Sequence, residues 1–168
     1  MIFFIVPAYN EEQCLAETLD ALHTTGVALG EEYEVLVADD GSTDQTAAIA
    51  VQRGAALVSV THRQIAATRN SGARVATGEW LIFVDADTVV DVEVARAAVD
   101  AMRRGAVGGG AGIHFDEPVP WFARVLLWVI MRIFRATGLA AGCFLFCSRA
   151  AFNAVGGFDE NTTGQKRL

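Results

Sequence analysis

The chain has 168 residues, 52% of them apolar and 20% charged, which is the composition of a folded domain with room for one core but not comfortably two. A formal charge of −7 provides no basic stripe. It argues against general nucleic-acid binding, and it implies that any phosphate-bearing partner arrives with a divalent cation.

Met1 opens directly into Ile2–Val6, a continuous apolar run that reads as a central parallel strand closed by Pro7. With no basic n-region or cleavage site there, the chain reads as cytoplasmic. Asn10 is expected to cap a helix with Glu11 and Glu12 in its first turn and Leu15, Leu19 and Leu22 at helical spacing up to Gly26. Tyr33–Ala38 is a second buried strand, and it ends in Asp39, Asp40, Gly41, Ser42, Thr43 and Asp44. The tight glycine turn and the Ser, Thr and Asp side chains lead into a helix over 45–53. Ala56–Val60 is a third short strand. His62–Thr77 reads as a helix, with Ile65, Ala66, Arg69, Ala73 and Ala76 near one face and Gly78 as its stop.

A strand then spans Trp80–Val84, and Asp91 caps a helix with Val94, Ala95, Ala98, Val99 and Met102 on its apolar stripe before Gly105. Four alternations of strand and helix over the first hundred residues predict right-handed crossovers and an α/β fold, a mostly parallel sheet with helices on both faces. Beyond Val107 the pattern changes. Gly108–Gly112 is glycine-rich, Trp121–Phe134 is strongly apolar, Cys143–Cys147 is a further strand, and Ser148 starts a helix through Val155 that is followed by GGFDE. Cys14, Cys143 and Cys147 contain no C-x-x-C pair and His23, His62 and His114 are scattered. The thiols therefore read as reduced and mostly buried rather than as zinc ligands.

The stretch Trp80–Thr88 concentrates the chemistry. Its apolar run ends abruptly in Asp85 and Asp87, placed where open α/β sheets bind ligands, outside the carboxyl ends of the strands. On an extended chain, residues two apart face the same side, so both acids can serve one oxygen-liganded cation, Mg²⁺ or Mn²⁺, and the phosphates it carries. The plainer reading is an acidic loop that begins the turn into the next helix.

Five clusters in order carry a resemblance: VPAYNE at 6–11, ADDGSTD at 38–44, ATRNSG at 67–72 with Gly78 and Glu79, VDAD at 84–87, and GGFDE at 156–160. Together they resemble the family 2 glycosyltransferases, which have the GT-A fold. The resemblance covers positions 2–160. It implies a single domain over 1–168, with a nucleotide-sugar-binding half (1–105), a partial acceptor half (106–160) and a tail that does not match (161–168).

The resemblance further implies a nucleotide site made by Pro7, Tyr9, Glu11, Asp40, Arg69, Asn70, Asp85 and Ala86. Pro7 and Tyr9 match the base pocket, Asp40 matches the residue that hydrogen-bonds the base, and Arg69 and Asn70 match a pair near the base and diphosphate. Asp85 matches the acid beside the ribose, and Asp87 the metal ligand that bridges the donor diphosphate. A helix-capping role suits Asp44 better. The implied donor is a UDP- or GDP-linked sugar, and the implied activity is inverting transfer to an acceptor hydroxyl. A divalent cation stabilises the charge that develops on the departing nucleoside diphosphate.

In the resembled family the base that deprotonates the acceptor is an acid shortly after GGFDE. Here Asn161–Leu168 contains no acid, so the usual catalytic base is not present in this chain. Two readings follow. One is an inverting glycosyltransferase or its donor-binding core, and the other is a non-catalytic nucleotide-sugar-binding module. A nucleotidyltransferase or other α/β nucleotide binder is disfavoured, because no G-x-G-x-x-G follows the first strand and no P-loop lysine is present.

Trp121–Arg135 adds one more expectation. On a helical projection Arg124, Arg132 and Arg135 fall within about 80° of one another, and Trp121 and Trp128 share their sector. Such a helix suits a membrane interface, with a lipid-linked acceptor and a peripheral position on the inner face of the membrane. A core helix with its arginine edge turned to solvent or to the donor phosphates is the alternative.

Overall fold

The computed structural model describes residues 1–111 and 142–161. In chain order it contains β1 (Ile2–Ala8), α1 (Leu15–Leu29), β2 (Tyr33–Asp39), α2 (Thr46–Gln52), β3 (Ala56–Ser59), α3 (Ile65–Val75), β4 (Trp80–Val84), α4 (Val92–Arg103), β5 (Gly108–Gly110), β6 (Phe144–Ser148) and α5 (Arg149–Val155). The strands form one sheet in the order β3-β2-β1-β4-β6-β5. β1 to β4 are mutually parallel, and β6 runs against both β4 and β5.

Alternation along β1 divides the core into two. Ile2, Phe4 and Val6 pack with Leu15, Leu19 and Leu22 of α1 and Ala95, Ala98, Val99 and Met102 of α4. Phe3 and Ile5 belong to the opposite face with Ala73 of α3, Leu81, Phe83 and Leu145. Successive strand residues point to opposite faces, so continuous apolar runs are what a sheet covered on both sides requires. α3 approaches the sheet so closely that a Cβ on Gly72 would lie 2.5 Å from Ile5 Cγ2.

Several local expectations are corrected. β1 continues through Pro7 to Ala8 instead of stopping at the proline. The Ile2 N–H and the Ala8 carbonyl both bond on the β2 side, so alternation turns the N–H that Pro7 lacks toward β4, whose register with β1 ends at Ile5 and Phe83. No ladder bond is lost there. Asn10 does not cap a helix, since it has φ +54° and α1 begins only at Leu15; the helix then passes Gly26 and closes on Gly30 at φ +69°. α3 begins at Ile65 rather than His62, because residues 62–64 are held in a loop by Asp40. Asp91 and Ser148 do cap α4 and α5, accepting from the N–H groups of Glu93 and Ala151. Cys14 is exposed and Cys143 and Cys147 are half-buried, so the thiols are less buried than expected, and all three are free. Burial pushes the Cys147 thiol up to about 11, although Arg149 opposes the shift.

The interfacial reading of Trp121–Arg135 lies outside the described residues. Among the described residues no helix is long and apolar enough to cross a membrane.

Candidate functional site

The parallel topology brings the carboxyl ends of β1, β2 and β4 to one edge, and it is there that most of the sequence-predicted residues gather. The loops after β1 and β2 are clamped to each other. The Asn10 N–H donates to Ser42 Oγ at 2.9 Å, and Asn10 Oδ1 accepts from the Thr43 N–H at 2.8 Å. The Glu11 N–H donates to Thr46 Oγ1 at 2.8 Å, and Asp44 accepts from the N–H groups of Thr46 and Glu12. Burial opposes ionisation of Asp44, but the Thr46 hydroxyl and these N–H groups together hold its carboxyl below the ordinary value. Asn10 is thus a cross-loop bracket, which explains its left-handed backbone: Asn tolerates that conformation and here uses its side chain locally.

Asp40 is 5% exposed and its carboxylate is largely committed. Oδ1 accepts from the His62 N–H at 2.5 Å, and Oδ2 accepts from the Gln64 N–H at 3.1 Å and the Thr68 hydroxyl at 3.0 Å. A carboxylate offers about four acceptor positions, of which these three donors fill three. Asp40 therefore organises the loop that leads into α3. Tyr9 is 41% exposed at the end of β1, beyond the buried Pro7, and the Arg63 guanidinium lies over its ring.

At the end of β4 the chain turns at once. The Thr88 N–H donates to the Asp85 carbonyl, so Asp85 and Asp87 do not lie on an extended strand and the same-side expectation does not apply. Asp85 pairs with Arg69 of α3 at 2.5 Å, and the Arg69 guanidinium also faces the Phe158 ring at 5.5 Å. Arg69 Nε is buried without a hydrogen-bond partner among the described residues. Ala86 is 3% exposed and its carbonyl accepts from Thr18 of α1 at 2.8 Å, which anchors the turn in the core. Asp87 is exposed and forms no ion pair among the described residues.

Asn70 has a structural role that its spacing did not reveal. It is 2% exposed, its amide donates to the Phe158 carbonyl at 3.0 Å and to Glu160 Oε1 at 2.8 Å, and its oxygen accepts from the Phe158 N–H at 2.8 Å. It clamps the GGFDE turn to α3. Gly157 makes the clamp possible, because its φ is +89° and a Cβ there would lie 2.6 Å from Asn70 Oδ1. Sequence reasoning missed Arg149, whose guanidinium donates to the carbonyls of Ala73, Ala76 and Gly78 and so closes the C-terminal end of α3. Its partners lie more than 70 residues upstream, so no local spacing signals it.

Among the described residues no three His, Cys, Asp or Glu side chains gather as a metal site. One accessible carboxylate, Asp87, suits a hard cation that takes its remaining oxygen ligands from phosphates and water, and does not suit a site closed by protein alone. The donor set thus fits Mg²⁺ or Mn²⁺ shared with a phosphorylated ligand.

Comparison with solved structures gives the same architecture. The mannosyltransferase PcManGT from Pyrobaculum calidifontis, solved with GDP-Man and Mn²⁺, matches with a TM-score of 0.77 at 22% identity over 95% of this chain and 48% of its own. Glucosyl-3-phosphoglycerate synthase from Mycobacterium tuberculosis, solved with Mn²⁺, UDP and glucosyl-3-phosphoglycerate, gives 0.63 at 20% identity over 89% and 57%. S. aureus TarS 1-349 in complex with UDP-GlcNAc gives 0.56 at 29% identity over 71% and 36%. This chain spans between 36% and 57% of the length of these proteins. Glycosyl transferase family 2 matches residues 3–155, and the chain belongs to that family.

Proposed function

We propose that this chain is the donor-binding core of an inverting glycosyltransferase that takes a UDP- or GDP-linked sugar together with Mg²⁺ or Mn²⁺. The observation that carries the reading is the convergence of Tyr9, Asp40, the Arg69–Asp85 pair and the exposed Asp87 on one sheet edge, in a chain whose net charge would otherwise repel a diphosphate. Tyr9 offers a ring to the base, and Asp40 keeps one acceptor position for it. The Arg69 guanidinium holds Asp85 in place at the ribose. Asp87 would hold the cation, which when bound neutralises charge on the diphosphate as the sugar departs. The half over 1–105 binds donor, and 106–160 contributes to the acceptor side.

Transfer by this chain alone should be slow, because Asp159 and Glu160 are engaged within and around the GGFDE turn and Asn161–Leu168 holds no acid. The loss of a general base lowers a rate by about 10²- to 10⁴-fold. Titration of UDP and GDP with Mn²⁺ present, followed by assay of sugar transfer, tests the proposal. Binding with slow transfer is expected; absence of binding for both nucleotides contradicts it, and efficient turnover would place the base elsewhere in the chain. We further propose a lipid-linked acceptor, with residues 121–135 at a membrane surface. Flotation with anionic but not neutral liposomes, lost when Arg124, Arg132 and Arg135 become glutamate, is the expected result.

A further inference from the structure

Arg63 belongs to none of the clusters that carry the family resemblance, yet it stands in the middle of the site. Its guanidinium carbon lies 4.0 Å from the Tyr9 ring centroid, and its Nη2 donates to the Gly41 carbonyl at 3.2 Å. It therefore bridges the end of β1 and the turn after β2. Any base that stacks on this face of Tyr9 and reaches Asp40 must enter that space. Arg63 holds the position with a backbone at φ +53°, a conformation disfavoured for a residue with a Cβ. The loop is fixed on either side of it, since the N–H groups of His62 and Gln64 both donate to the Asp40 carboxylate.

We propose that Arg63 is a placeholder for the base: in the free protein its guanidinium occupies the stacking position on Tyr9, and it leaves that position when a nucleotide binds. A planar cation and a planar base use the same ring face, and one excludes the other. Arg63 and Tyr9 are both exposed, so the contact is of the weak, water-accessible kind and is readily exchanged. The free site thus keeps its aromatic surface covered, and the exchange lowers the apparent affinity for every base by one common factor. This inference rests on the nucleotide reading above.

Neutral nucleosides give the cleanest test, because they need no metal and do not respond to loss of a positive charge as a diphosphate would. Uridine and guanosine are titrated by NMR into the full chain and into Arg63→Ala and Arg63→Gly; the glycine variant also relaxes the backbone. Both variants should bind nucleoside about two- to fivefold more tightly than wild type, the size of an exposed cation–π contact. The gain should vanish when Tyr9→Ala is added, since no ring remains to be uncovered. Equal or weaker nucleoside binding in both variants, with thermal unfolding showing them folded, would overturn the placeholder role. If wild type and variants bind no nucleoside, and no UDP or GDP with Mn²⁺, the nucleotide reading fails and takes the placeholder with it.

Discussion

Replacing Asn70 separates a structural clamp from a ligand contact. Asn70→Ala removes three hydrogen bonds of 2.8–3.0 Å and leaves the Phe158 N–H and carbonyl without their partner. Each bond contributes about 1 kcal/mol net, and a buried group left unpaired costs about 1–3 kcal/mol. Because Phe158 is only half-buried, water recovers part of that loss. The expected destabilisation is about 2–4 kcal/mol, which for a chain of this size lowers Tm by roughly 4–16 °C. Asn70→Asp should do no better: it keeps an acceptor for the Phe158 N–H but sets a carboxylate against the Phe158 carbonyl and the Glu160 carboxylate. Thermal unfolding followed by circular dichroism measures the loss. UDP or GDP affinity, measured well below the transition, should stay within about twofold of wild type on the standard affinity scale. An unchanged Tm together with abolished nucleotide binding would refute the clamp.

Four further expectations follow from named contacts. Arg149→Met should lower the urea midpoint by the equivalent of about 3 kcal/mol, since the Ala73, Ala76 and Gly78 carbonyls lose a charged donor; an unchanged midpoint would show that the α3 terminus does not need it. Gly157→Ala should destabilise by about 2 kcal/mol or more, through φ +89° and contact with Asn70 Oδ1, read by the same unfolding curve. Asp44 titrates below the ordinary 3.8 in the folded chain, so its contribution is fully present above 3.8 and is lost as pH falls through the lower folded value; Asp44→Asn should flatten the acid limb of stability against pH. Iodoacetamide at pH 8 should label Cys14 before Cys147, whose thiol at about 11 leaves only about one molecule in 10³ as thiolate, and mass spectrometry of the labelled peptides reads the order.

The sheet was legible because each of its core strands is a continuous apolar run between turn signals, the pattern of a strand buried on both faces. The positions of Asp40, Asp85 and Asp87 followed from strand ends for the same reason. Helix starts were less legible. Asn10 has the composition of a cap, but its side chain is taken by Thr43 of a different loop, and that pairing leaves no trace in local spacing. His62 looked helical because nothing nearby in sequence shows that Asp40, 22 residues earlier, holds the loop open. Asn70 and Arg149 show the same limit: a polar residue on a helix declares its spacing, while its partners come from folding. β5 is three glycines, which carry no strand propensity; the close approach of the Phe146 ring to Gly109 explains why no larger residue stands there.

In the proposed function, Asp87 links nucleotide binding to a divalent cation. Calorimetric titration of UDP and GDP into wild type and Asp87→Ala, each with and without Mn²⁺, tests it directly. Mn²⁺ should strengthen binding to wild type by at least about tenfold, a difference of about 1.4 kcal/mol, and have little effect on Asp87→Ala. Equal affinity in wild type with and without Mn²⁺, or full metal dependence retained in Asp87→Ala, would contradict it.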